Sequence, residues 1–354
     1  MSDTLKFEPS ERQFGPFYKY MQKEEVTDVD YNGKKLWITD LIRGRYCAEE
    51  NISESFLTQF IHDIANCINK PFNRANKVLE ADTKEFRISI VHDSVAISGT
   101  SICIRKSPPK VRNTVSSLLK NQFCSEEILN LLVNCVHAKM NFVFGGEPNT
   151  GKTEATKFFM QFIPDSERVI TVEDSLELHY GEIKPDSDHI ELRIEKGFSY
   201  TDAIKTCLRQ NPKWLMLSEA RSAEVVSLLE QWSTGVNGFS TIHLDDLKKL
   251  PDRILNMMDY VADADRMENR IYESVDIGIL IRCIKREDGR LYRFIDQLCF
   301  YSREQEQNKI YMIVTEQKLV SKKLPDEILK KFERAHITDL FSCQVVREKM
   351  RREL

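Results

Sequence analysis

Apolar positions along the chain follow two periods. Leu36 and Ile38 alternate with polar residues across Lys34–Asp40, behind a Tyr31-Asn32-Gly33 turn signal. Phe86–Val91 and Ile97–Ile104 carry further strand patterns. Between them Phe56, Leu57, Phe60, Ile61 and Ile64 recur at helical spacing behind Ser53, whose hydroxyl can cap the first turn. Further on, Ile128, Leu131, Leu132, Cys135 and Val136 follow Ser125 as the inward stripe of a helix, and Val225, Val226, Leu229 and Trp232 form another. Short apolar runs at Asn141–Phe144, Val169–Val172, Trp214–Leu217 and Phe239–Ile242 suit strands buried on both faces. The alternation predicts an α/β domain with a parallel sheet, preceded by a smaller α+β domain. Val275–Ile284 and Leu291–Phe300, around the Glu287-Asp288-Gly289 turn, are expected to complete the α/β core. A helical stretch is expected from about Pro325.

Arg105-Lys106-Ser107-Pro108-Pro109 marks the boundary, because two prolines withdraw backbone donors there. The expected organisation is a polar, loosely attached lead-in over 1–24, a small α+β domain over 25–106, a linker over 107–113 and the larger domain over 114–354. A chain of 354 residues is long enough for each domain to bury its own core. No apolar run nears the roughly 18 residues that cross a bilayer, and the first thirty residues lack the pattern of a signal peptide. The 51 Lys+Arg against 55 Asp+Glu, net −4, disfavour a surface built to hold nucleic acid. Nine scattered cysteines without a C-x-x-C pair suit reduced thiols rather than a disulfide framework or a zinc ribbon.

The chemistry concentrates after the 141–144 strand. Gly146-Glu147-Pro148-Asn149-Thr150-Gly151-Lys152-Thr153 fits G-x-x-x-x-G-K-[ST] throughout. The glycines let backbone N–H groups curl toward phosphate oxygens at the start of a helix. Lys152 would place its charge between the β- and γ-phosphates and Thr153 would offer its hydroxyl to Mg²⁺. Val169–Val172 runs into Glu173-Asp174, where a carboxylate could orient an attacking water. Trp214–Leu217 runs into Ser218-Glu219-Ala220-Arg221, the strand-then-acid order of a Walker B element, with Glu219 as its acid. Gly235 and Gly238 precede Phe239–His243, which brings Thr241 and His243 to a strand end.

In this order GEPNTGKT, VITVEDSLEL, LRQNPKWLMLSEAR and TGVNGFSTIHL resemble the Walker A loop, Asp box, atypical Walker B and His box of the type II/type IV secretion traffic ATPases. The resemblance extends to the amino-terminal half through Tyr31-Asn32-Gly33, Phe86-Arg87-Ile88 and Ser101–Lys106, covers roughly residues 26–315, and looks nearest to the tight-adherence pilus and conjugation members. It implies a RecA-like P-loop domain behind a small α+β domain, six copies in a ring, and ATP with Mg²⁺ in an interdomain cleft. Residues 146–153, with Glu154 and Arg209, would bind the nucleotide. Thr153 and Glu219 would serve the metal, Glu173 would activate water, His243 would sense the γ-phosphate, and Arg105, Arg87 and Arg193 would approach the nucleotide or couple the domains. The implied setting is cytosolic, peripheral to a membrane-embedded secretion or pilus platform.

Asn149 replaces a loop glycine, Glu154 a second threonine, Ser218 a glycine, and Leu244 and Asp245 stand where a small residue follows the histidine. The necessary groups survive these departures, while the turnover rate stays open. Two alternatives stay open with it: a nucleic-acid-translocating ATPase, and a nucleotide-binding scaffold that barely hydrolyses. Cargo, direction of work and the role of the tail are not legible.

Overall fold

The fold is that of a computed structural model, described for residues 9–258 and 263–353. Two compact units emerge. The first runs to Pro109 and takes in residues 285–291, and the second comprises Lys110–Ile284 and the residues from Tyr292 onward.

The alternating segments of the first unit form β1 (Val26–Tyr31), β2 (Leu36–Asp40), β3 (Gly44–Cys47), β4 (Val78–Asp82), β5 (Phe86–Val91) and β6 (Ser101–Lys106). They make one antiparallel sheet in the order β3-β2-β1-β6-β5-β4. Inward residues such as Leu36, Ile38, Ile88, Ile90, Ile102 and Ile104 form its core with α1 (Glu11–Met21) and α2 (Glu54–Cys67). The Ser53 hydroxyl caps α2 by accepting from the Phe56 N–H.

The loose lead-in is corrected. Residues 1–8 lie outside the described part, but α1 is capped by Ser10 and buries Phe14, Phe17, Tyr20 and Met21. These four positions are a helical stripe that Gly15-Pro16 interrupts. The kink falls at Gly15, with φ +42° and a Cβ position only 2.5 Å from the Phe56 ring, so a side chain would be excluded both by conformation and by space.

In the second unit strands and helices alternate as α3 (Val115–Lys120), α4 (Glu126–His137), β7 (Phe142–Gly145), α5 (Lys152–Met160), β8 (Val169–Glu173), α6 (Tyr180–Ile183), β9 (His189–Arg193), α7 (Tyr200–Cys207), β10 (Trp214–Leu217), α8 (Glu224–Ser233) and β11 (Phe239–Ile242). After α9 (Leu250–Leu255) and α10 (Ala264–Ser274) come β12 (Ile277–Lys285), β13 (Leu291–Glu304), β14 (Gln307–Thr315) and β15 (Lys318–Leu319), then α11 (Asp326–Arg334) and α12 (Gln344–Glu353).

The nine-stranded sheet has the order β15-β14-β13-β12-β7-β11-β10-β8-β9, parallel from β12 to β9. Every residue of β7, β8, β10 and β11 is buried, as expected for strands covered on both faces. Because these strands are parallel, the loops after β7, β8, β10 and β11 emerge at one edge of the sheet, where open α/β folds bind ligands. Among the described residues no helix is long and apolar enough to cross a membrane.

Candidate functional site

The loop after β7 is shaped by three residues with positive φ, Gly146 (152°), Asn149 (64°) and Gly151 (98°). A Cβ at Gly146 would lie 2.5 Å from the Ile281 carbonyl oxygen, so no side chain fits. Asn149, the departure from glycine, is a residue type that tolerates the left-handed conformation. Thr150 Oγ1 donates to Glu147 O (2.9 Å). Lys152, the first residue of α5, folds back across the loop and donates to Gly146 O (3.0 Å) and Glu147 O (2.8 Å). Burial lowers its pKa to about 8, opposed by the charges of Glu219 and Glu177.

The acids after β8 divide differently from the sequence expectation. Glu173 ends a strand buried on both faces and is itself 0% exposed. Its Oε1 accepts from the N–H groups of Glu177 (3.2 Å) and Leu178 (3.0 Å), tying down the turn that follows. Burial pushes its carboxyl up to about 8, despite those two N–H groups. The acid that faces the phosphate loop is Glu177, whose Oε2 accepts from Thr153 Oγ1 at 3.4 Å. The Glu173 carboxyl, expected from the sequence to activate water, is enclosed, and its Oε1 holds this turn. Glu177 escaped the sequence reading because it lies in a turn without periodicity.

β10 and β11 bring the remaining groups to this edge. Glu219 Oε1 meets His243 Nε2 at 2.9 Å, and His243 Nδ1 lies 3.3 Å from Lys152 Nζ and 3.2 Å from Gly146 O. Glu219 Oε2 accepts from Arg221 Nε (2.9 Å) and Nη2 (2.7 Å), while Arg221 Nη1 reaches Asp174 Oδ2 (2.7 Å). Thr241, noted beside His243, is buried and donates to Ser218 O (2.7 Å), joining the two strand ends. The segment after His243 is fixed by Arg282, which donates to Asp245 O (2.9 Å), and by Tyr301, which donates to Leu247 O (2.6 Å). A cavity of about 410 Å³ opens beside the loop, lined by Glu147, Pro148, His243, Lys249 and Arg253 among others.

The arginines separate. Arg193 ends β9 in register with Glu173, at the site edge. Arg105 belongs to the first unit, where its Nε binds Asp28 Oδ1 (2.9 Å) and its strand neighbour in β5 is Arg87. Arg209 lies between α7 and the start of β10, next to Gln210, whose carbonyl accepts from Arg168 just before β8. That is the edge of the parallel sheet opposite the loop that carries Lys152. Arg293, not noted from the sequence, donates to Asn149 O at 3.5 Å.

These residues fit a nucleotide triphosphate with Mg²⁺: a side-chain-intolerant loop at a helix start, a lysine strapped across it, and a threonine hydroxyl beside a carboxylate. A model of the family described as Type II/IV secretion system protein matches residues 73–338. The chain belongs to this family. It is 26% identical over 294 residues to an uncharacterized protein of Bacillus anthracis, covering 80% of this chain and 66% of that one. It is also 26% identical over 185 residues to the protein VirB11 of Agrobacterium tumefaciens, covering 49% of this chain and 53% of that one. The chain thus spans under two thirds of the length of these curated relatives. Its fold is similar to that of the ATPase DotB of Legionella pneumophila, with a TM-score of 0.60 at 15% identity, covering 98% of this chain and 91% of that one. The architecture shared across the family is a RecA-like P-loop domain preceded by a smaller α+β domain.

Proposed function

We propose that the chain is an ATP hydrolase that converts MgATP cleavage into motion of its units, powering pilus assembly, secretion or conjugative transfer. The observation that carries this reading is the convergence of Lys152, Thr153, Glu177, Glu219 and His243 on one sheet edge. Residues 146–154 would enclose the phosphates, with Lys152 supplying the charge between the β- and γ-phosphates. Thr153 and Glu219 would serve the metal. Bound there, Mg²⁺ would neutralise charge developing on the transferred phosphoryl group.

Glu177 is the carboxylate placed to orient a water, and Glu173 holds the turn that presents it. His243 couples Lys152 to Glu219, so a change at the γ-phosphate would be felt by the acid of β10. Arg105 is proposed as the arginine that stabilises transition-state charge. The description of the matched family, Type II/IV secretion system protein, supports a secretion setting. Six copies in a ring, docked from the cytoplasm onto a membrane-embedded platform through protein contacts, complete the proposal.

The test is Mg²⁺-dependent phosphate release from ATP by the full chain, with and without single- and double-stranded DNA. Wild-type turnover that is indifferent to DNA and abolished in Lys152→Ala is expected. Nucleotide binding without turnover would replace this reading with the scaffold, and strong stimulation by DNA would replace it with the translocase.

A further inference from the structure

β12 is apolar and buried over its first five residues and then carries an arginine. Leu280 and Arg282 lie two residues apart in the strand and so project from the same face. Leu280 pairs in register with Gly145, the last residue of β7, and its Cδ1 lies 3.4 Å from where a Gly145 Cβ would stand. Arg282 is therefore the first residue on that face beyond the end of β7.

Two acceptors from different segments meet the guanidinium there. Nε donates to Asp296 Oδ2 of β13 (2.5 Å), and Nη2 donates to the main-chain oxygen of Asp245 (2.9 Å). Asp296 is buried, so it fixes one side of the planar fork and thereby aims the other. A lysine would supply the charge without that fixed spacing between donors.

Asp245 O lies two residues past His243, in a segment anchored at three places. Leu244 is buried, with its Cβ 3.4 Å from the same Gly145 position. Asp245 is held by Arg282, and Leu247 is held through its N–H by Gln297 Oε1 (2.9 Å) and through its carbonyl by the Tyr301 hydroxyl (2.6 Å). Leu244 and Asp245 are the two departures from the small residue expected after the histidine. The Asp245 carboxylate is directed elsewhere, to Lys249 on the surface (3.0 Å).

The imidazole at the head of this segment meets Glu219 Oε1 at 2.9 Å through Nε2, and its Nδ1 lies 3.3 Å from Lys152 Nζ. Its side chain is 42% exposed, so core packing does not fix the ring. Its place depends on the main chain that carries it.

We propose that Arg282 is a positioning residue for the hydrolysis: held by Asp296, it pins the main chain at Asp245 and so keeps the His243 ring between Lys152 and Glu219. This rests on the reading of the chain as an ATP hydrolase. Without the pin, Leu244 alone holds the exit of β11 as far as Leu247, and the ring shifts with its backbone. The phosphate loop keeps its own contacts, from Thr150 and Lys152 to the loop carbonyls.

The experiment compares the full chain as wild type, Lys152→Ala, His243→Ala, Arg282→Lys, Arg282→Met and Asp245→Asn. Two readouts are taken: kcat for MgATP, and the affinity for a non-hydrolysable MgATP analogue relative to MgADP. For Arg282→Lys, which keeps a cation opposite Asp296, a loss in kcat of about 10- to 100-fold is expected, the scale of a group misplaced by about an ångström. Its MgADP affinity stays at the wild-type value, while its preference for the analogue shrinks toward that of His243→Ala. Combining Arg282→Lys with His243→Ala shrinks that preference no further. Asp245→Asn keeps the wild-type values, because the pin is on the main chain. Arg282→Met also strands the buried Asp296 carboxylate and loses stability; should it fail to fold, Arg282→Lys carries the comparison, with MgADP binding certifying its fold. Wild-type kcat in a folded Arg282 variant, or MgADP affinity lost in step with kcat, would overturn the positioning role alone. So would an analogue preference that His243→Ala does not move or that falls further in the double variant, or an equal loss in Asp245→Asn. A wild type no more active than Lys152→Ala would overturn the hydrolase reading and this role with it.

Discussion

At Asn149 a single dihedral accounts for a departure from the family pattern. With φ +64°, the position favours glycine or asparagine on conformational grounds. Asn149→Gly is expected to leave nucleotide affinity unchanged, while Asn149→Val costs about 1–2 kcal/mol of strain and weakens binding; equilibrium melts and nucleotide titration measure both. Glu173 makes a second residue-scale prediction. Its carboxyl is raised from 4.5 to about 8 in the folded chain, so its contribution to stability is complete below 4.5 and is lost as pH rises through 8. Glu173→Gln should remove that loss. The difference in unfolding free energy between variant and wild type then grows in favour of the variant from pH 5 to pH 8, by at most about 1.4 kcal/mol per unit. A pH-independent difference in denaturant melts would refute this. The same residue shows what the sequence can convey. The spacing of Lys152 and Thr153 is legible because their motif fixes it, whereas the enclosure of Glu173 depends on β8 being covered on both faces, which turns its last side chain inward.

Among the elements, the short buried strands were the most legible. Trp214–Leu217 and Phe86–Val91 have the bounds their apolar patterns predict. β9 was not, because its edge position leaves His189–Arg193 half-exposed and without a clear alternation. α1 was hidden by the Gly15-Pro16 kink. The carboxy-terminal helices were legible as helices but not as to where they pack. α12 returns to α3, where the Glu353 carboxylate accepts from the N–H groups of Val115 (3.3 Å) and Ser116 (2.8 Å). Lys331 of α11 binds both oxygens of buried Asp276 (2.6 Å each), and Asp276 Oδ2 also accepts from the Asn141 N–H (2.7 Å) at the entry to β7. Asp276→Ala would strand an ammonium and a buried N–H together. It is expected to cost about 3 kcal/mol, the lower end for breaking a buried pair, because Lys331 retains some solvent. Chemical denaturation reads that cost directly, and a loss below 1 kcal/mol would show that α11 is not anchored by charge.

On the scale of the whole molecule, strand direction makes Arg209 informative. In a parallel sheet the segment before β10 and the loop after β7 lie at opposite edges, so Arg209 and Lys152 of one chain cannot serve the same phosphate. A nucleotide-contacting role for Arg209 therefore requires a second copy, which the proposed ring would supply. Mixing two inactive variants separates the alternatives. Lys152→Ala lacks the loop lysine but keeps Arg209, and Arg209→Ala has the reverse composition. If Arg209 works across copies, mixed assemblies contain sites with both residues intact, and the mixture hydrolyses MgATP faster than the sum of its parts. The gain should disappear on dilution to concentrations at which light scattering finds single chains. An Arg209→Ala chain that is fully active alone would assign the residue to the sheet edge it occupies, and leave any assembly to be held by other surfaces.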